Sequence, residues 1–231
     1  MRRDRMRRLA EVISGPGGAT TLDRVLAEGP GFFTMSAAAL AVITDGSNYD
    51  TVAITDPSFA AADTLHAELG EGPALDACEQ MVPIFAPDLA GASERWPAFA
   101  DAAVDCGIEA AFSFPARVGT LALGALTLYR DTAGMMDSDD FDDAAAFASI
   151  ASRLLVDVTA GLANGELPGA LDDLRSAQAH VHQAAGMASV QLGVDVAGAM
   201  AAIRASAWAG NRSLDEVARD VVERKVRFDA N

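Results

Sequence analysis

The hydrophobic period of this chain changes at Ser138. Beyond it, Phe141, Ala148, Leu155 and Leu162 stand seven apart, and Ala144, Ala151 and Val158 occupy the second apolar position of each repeat. That spacing lines one stripe of an α-helix, whereas a strand sends alternate residues to opposite faces. A second run, Leu171, Leu174, Gln178, Val181, Ala185, Ala188 and Leu192, steps by three and four. Gly161, Gly165 and Pro168-Gly169 divide the two. Before Ser138 the apolar runs are short and separated by turn residues. The chain therefore reads as a sheet-bearing part followed by an all-helical part. The two heptad-like seams read as a parallel homodimer interface, with packing of each helix on its own domain as the alternative.

In the first part, Asp45-Gly46-Ser47-Asn48 stands between apolar runs at Ala37–Thr44 and Tyr49–Ile54, a hairpin signal. A helix is expected over 58–69. Gly70-Glu71-Gly72-Pro73 stops it and opens another over 74–80, with Pro73 at a favourable first position. A short strand within 81–89, a helix over 93–106, and strands over 109–116 and 120–129 follow. Residues 2–13 and 20–29 read as helices. Hairpins flanked by helices indicate an α+β fold, an antiparallel sheet with helices on its faces. The expected division is an N-terminal helix (1–19), a sheet domain ending in a stalk helix (20–160), a hinge (161–170) and an all-α three-helix domain (171–231).

Within the last domain, Val196, Ala199, Met200, Ile203 and Ala207 share a helix face. Ser213-Leu214-Asp215-Glu216 has the form of a capping box. Leu214, Val217, Ala218, Val221 and Val222 then form an apolar stripe. On the opposite face, Asp215–Arg219, Arg219–Glu223 and Asp220–Arg224 are i, i+4 pairs of opposite sign. Arg204, Arg212, Lys225 and Arg227 lack such a partner in the sequence and read as the freer cations. Trp208 is expected in the core; exposed, it would be able to stack on an RNA base.

Charge bounds the partners. The net charge is -16, with seven basic and eight acidic side chains in residues 171–231 against ten and 25 in residues 1–170. The sheet-bearing part would repel nucleic acid, so only the chain ends would attract it. Two cysteines, Cys78 and Cys106, are too few for a disulfide scaffold and fit a reducing compartment; both are expected to be buried and inert. The start lacks the apolar stretch of a secretory signal, and the longest apolar run, Met35–Ile43, is too short to span a bilayer. A cytoplasmic protein with no membrane partner is expected. His180 and His182 point apart on a helix, and His66, read as a surface or half-buried residue, has no second ligand in view. No cofactor, no metal and no catalytic constellation is expected, and the chain is not expected to be an enzyme.

Residues 175–228 resemble the ANTAR domain, an RNA-binding three-helix module of transcription antitermination regulators. The matching positions are Gln183-Ala184, Gly186-Met187, Ala199, Ile203-Arg204, Ala207, Asn211, Leu214, Val217-Ala218 and Val221-Val222. Residues 20–160 resemble the GAF domain that precedes ANTAR in regulators of the actinobacterial type. Leu69–Ala77 (LGEGPALDA), Asp88-Leu89, Trp96–Ala103 (WPAFADAA), Gly107-Ile108, Phe114-Pro115 and Leu123–Tyr129 (LGALTLY) carry that likeness. The resemblance implies a sensor dimer for a small-molecule ligand, with paired ANTAR modules on two RNA hairpin loops. Phe85, Phe112 and Phe114 are expected at the GAF pocket. Gln183, Arg204, Asn211, Arg212 and Arg219 are expected to face RNA. Two departures are Ala185 and Gln178, which stand where the family carries Lys and Arg; each removes a cation that would meet phosphate, so RNA binding is expected to be weakened. Two functions follow: a signal-responsive RNA-binding antitermination regulator, or a sensor and protein-interaction dimer whose ANTAR-like module has lost RNA binding.

Overall fold

The computed structural model describes residues 35–44, 48–164, 169–210 and 212–228. The helices expected over 2–13 and 20–29 lie outside them. Five strands, β1 (Ala37–Thr44), β2 (Asn48–Ile54), β3 (Ile84–Ala86), β4 (Ala110–Val118) and β5 (Leu121–Arg130), form one antiparallel sheet in the order β2-β1-β5-β4-β3.

Residue size alternates along these strands and sorts the two faces. Leu40, Val42, Phe112, Phe114, Leu126 and Leu128 share one face, aligned by the pairings Leu40↔Leu126 and Phe112↔Leu128. A long helix, α4 (Ser138–Asn164), covers it with Ala144, Phe147, Ala148, Ala151 and Leu155. The first heptad-like run is thus consumed within the chain: Ala144, Ala148, Ala151 and Leu155 meet their own sheet, the alternative that the sequence left open to the dimer seam. A helix lying along a flat sheet buries the same stripe that a coiled coil would.

The opposite face is paved with small side chains, among them Ala37, Ala39, Ala41, Ala111 and Ala125. Its bulk comes from α1 (Ala60–Leu69), α2 (Pro73–Gln80) and α3 (Pro97–Asp105). Helix α3 begins four residues later than the spacing suggests. Trp96, the residue before Pro97, is held at φ -132, ψ 79, because proline disfavours helical backbone in its predecessor. Gly124 lets β5 approach β1 closely, since a Cβ there would lie 1.9 Å from the Ala41 carbonyl oxygen.

Helices α5 (Gly169–Leu192), α6 (Val196–Ala209) and α7 (Leu214–Val222) enclose a separate core of Val181, Ala184, Ala185, Ala188, Ala199, Met200, Ile203, Ala207, Val217, Ala218 and Val221. Val181, Ala185 and Ala188 of the second seam are therefore also used internally; the side chains of Leu171, Leu174 and Gln178 lie outside the described residues. Asp195 caps α6 by accepting from Gly198 N at 2.8 Å, and Ser213 with Glu216 closes the expected capping box at α7. Helix α6 touches α1, and α5 lies against β2, a sheet edge. Among the described residues no single helix is long and apolar enough to cross a membrane.

Candidate functional site

On the small-residue face, α1 and β2 place a polar cluster inside the protein. Asp63 is fully buried. Its Oδ1 accepts from Tyr49 Oη at 2.7 Å and from Tyr129 Oη, and its Oδ2 accepts from Thr51 Oγ1. Burial first, then the Asp63 charge, pushes both tyrosine hydroxyls well above their ordinary pKa.

His66, one turn along α1, is also fully buried, contrary to the expected surface or half-buried position. Its Nδ1 lies 3.0 Å from the Asp63 carbonyl oxygen, which only accepts, so Nδ1 carries the proton. Nε2 is then free to accept from Ala74 N at 3.3 Å. Burial lowers the His66 pKa, against a smaller raising effect of Asp63. The ring stacks on Tyr49, with centroids 4.8 Å apart, and meets Phe99 at 4.4 Å. With both nitrogens engaged, His66 is a neutral core residue.

The Gly70-Glu71-Gly72-Pro73 turn joins these parts. Glu71 Oε1 accepts from Ala98 N and Phe99 N at 2.7 and 2.8 Å, capping α3 from a distant loop. Gly72, at φ 126, lies so close to His66 and Phe99 that a Cβ would meet their rings at 2.7 and 2.9 Å. Next to Phe99, the buried Trp96 indole N–H has no hydrogen-bond partner among the described residues. Arg95 lies over its ring, 4.7 Å from the centroid, and pairs with Asp76 at 2.6 Å.

The three phenylalanines expected at the pocket do come together, with Phe85 5.8 Å from Phe112 and 5.9 Å from Phe114, but on the α4 face. Phe141 of α4 closes the group at 5.7 Å from Phe85. Phe112 is core packing. Phe114 also borders a groove of about 510 Å³ with Pro83, Arg117 and Ser152. The polar cluster across the sheet escaped the sequence reading. The available signal was Asp63 and His66, spaced i, i+3 beside Ala62 and Leu65 on the inward stripe of α1.

Of the residues expected to face RNA, Gln183 is exposed and Asn211 lies outside the described residues. Arg204 is partly buried, and its Nε donates to the Ala67 carbonyl of α1 at 3.0 Å. Arg212 pairs with Asp220 at 2.6 Å, Arg219 with Asp215, and Lys225 with Glu223 and Asp220. The expectation that Arg204, Arg212 and Lys225 are free cations is thus corrected: the chain returns at Gly210 and sets Arg212 against α7, eight residues before its partner. Arg224 and Arg227 are exposed, with no ion pair among the described residues. Trp208, expected in the core, is 55 % exposed. Ala185 is wholly buried in the three-helix core, so that position does not face a phosphate.

Cys78 is buried and donates to the Gly124 carbonyl, and burial pushes its pKa up to about 12; Cys106 is exposed, contrary to expectation. Among the described residues no three histidine, cysteine or carboxylate side chains are grouped to hold a metal.

No protein-family model matches the sequence, and no curated protein matches it. Solved structures do resemble it. The GAF domain of a phosphoenolpyruvate-protein phosphotransferase from Acinetobacter superposes at a TM-score of 0.52 with 12% identity, over 68% of this chain and 93% of that one. The GAF domain of a phosphoenolpyruvate-protein phosphotransferase from Coxiella burnetii gives 0.51 with 18% identity, over 72% of this chain and 97% of that one. At such identities the likeness concerns the fold alone. The five-stranded antiparallel sheet with its flanking helices has the GAF fold.

Proposed function

We propose that the chain is a signal-responsive, RNA-binding antitermination regulator without enzymatic activity, in which the GAF-fold domain controls a C-terminal ANTAR-like module. The observation that carries the RNA reading is the exposed Trp208, standing on α6 between Arg204 and Arg212. An aromatic ring left in solvent suits an unstacked loop base. The buried positions of the ANTAR-like motif, including Ala199, Ile203, Ala207, Val217 and Val221, supply the module's core and leave this edge to partners. In the sensor, the unpartnered Trp96 N–H favours a small ligand carrying a hydrogen-bond acceptor. Paired hairpin loops would call for two modules in a homodimer.

The ion pairs at Arg212, Arg219 and Lys225 favour a second reading, a sensor whose module engages proteins and no longer RNA. An electrophoretic shift of the full chain with a paired-hairpin RNA, at low and moderate salt, separates the two. A complex that weakens with salt is expected. Trp208→Ala should weaken it roughly tenfold, within the range of one lost base stack. Absence of a complex at both salts leaves the second reading.

A further inference from the structure

We propose that the carboxyl end of α1 is a docking site for Arg204, which holds the C-terminal module against the sensor and withholds this guanidinium from nucleic acid. The masking half of this inference rests on the RNA reading above; the dock itself does not. The last carbonyls of a helix have no partner within it and carry the negative end of its dipole, so a guanidinium is a natural occupant. Here Gly70 N closes on the His66 carbonyl at 3.0 Å, and the Ala67 carbonyl takes Arg204 Nε at the same distance. Gly70 has a left-handed backbone, φ 70, and no side chain to keep the arginine off. A Cβ there would lie 2.7 Å from Arg204 Nη1 and 2.9 Å from its Cζ. The fit is therefore mutual: a bare left-handed turn leaves room for the arginine lying over it, and any side chain there would take its place.

The dock is wired to the sensor interior by position. Ala67 stands one turn beyond Asp63 on α1, and the hydroxyls that hold Asp63 come from β5 and from β2, the edge strand against which α5 lies. Both elements that seat the module, α1 and β2, thus meet at the Asp63 carboxylate. A ligand that draws Tyr49 or Thr51 away from Asp63 would shift the two seats relative to each other and loosen Arg204. Trp208, one turn further along α6, remains exposed, so docking covers part of the RNA-facing edge and leaves a weak-binding form.

Gly70→Asn in the full chain tests this without touching the arginine. Asparagine tolerates the left-handed conformation, and its side chain occupies the place of the guanidinium. Amide exchange across residues 197–208 should accelerate about tenfold as α6 is freed, while strands β4 and β5 stay protected. Affinity for the paired-hairpin RNA should rise by roughly the same factor, since the docked state is a population withheld from binding. Arg204→Ala should reproduce the faster exchange but not the gain in affinity. Unchanged exchange in both variants overturns the dock. Faster exchange with unchanged affinity of a complex that does form overturns the masking. Faster exchange with no RNA complex in any form leaves the dock standing and refutes the RNA reading instead.

Discussion

Replacing Asp63 by alanine should be among the most damaging single changes in the GAF-fold domain. The carboxylate is the acceptor for two tyrosine hydroxyls, one on a residue 4% exposed and one on a residue 0% exposed. Alanine leaves both hydroxyls without their acceptor. Each such loss costs about 1–3 kcal/mol. Thr51 is half-buried and recovers part of its loss to water. The two tyrosines alone sum to about 2–6 kcal/mol, a large share of the ~5–15 kcal/mol that holds a domain folded. Urea denaturation followed by circular dichroism reads this as a lower midpoint at unchanged slope. A triple variant that also carries Tyr49→Phe and Tyr129→Phe removes the orphaned hydroxyls, and should regain roughly 2 kcal/mol over the single variant, because deleting both partners of a buried bond costs less than deleting one. A cost below about 1 kcal/mol for Asp63→Ala, or a triple variant no more stable than the single one, would refute the assignment of Asp63 as the organising acceptor.

The neighbouring histidine predicts an acid limb. The folded pKa of His66 lies below its ordinary 6.5, so as pH falls below that value the unfolded chain takes the proton first. Stability present above pH 6.5 should then be lost, by at most about 1.4 kcal/mol per pH unit from this group, and His66→Gln should flatten the slope; the same slope in both proteins would refute the burial of a neutral ring. A thiol reagent should label Cys106 rapidly in the native protein and Cys78 only after unfolding; equal rates would contradict the packing of Cys78 against Gly124. Ser213→Ala removes the hydroxyl that accepts from Glu216 N and should cost the C-terminal module about 1 kcal/mol in a denaturation midpoint; a shift equivalent to less than about 0.3 kcal/mol would count against the cap.

Local signals fixed much of the architecture. The antiparallel pairing of β1 with β2, the Pro73 helix start and the Ser213 capping box depend on residues close in sequence, whose preferences act before any distant contact. The alternation of small and large residues in β1, β4 and β5 likewise sets two unlike sheet faces. Periodicity could not say what the stripes would face: the seam at Ala144, Ala148 and Leu155 has a coiled-coil spacing, yet its own sheet covers it. Nor does charge spacing reveal partners beyond one helix. Arg204 meets a carbonyl 137 residues away, and Arg212 reaches Asp220 only because the chain turns at Gly210. The polar cluster is the clearest case, since Tyr49, Asp63 and Tyr129 meet solely by folding. By itself the sequence determined which segments are helix or strand and which of their sides are apolar, because those are properties of neighbours along the chain. Only the tertiary structure decided which carboxylate, hydroxyl and guanidinium find one another, because burial forces each polar group to a partner that the fold, and not the spacing, brings within reach.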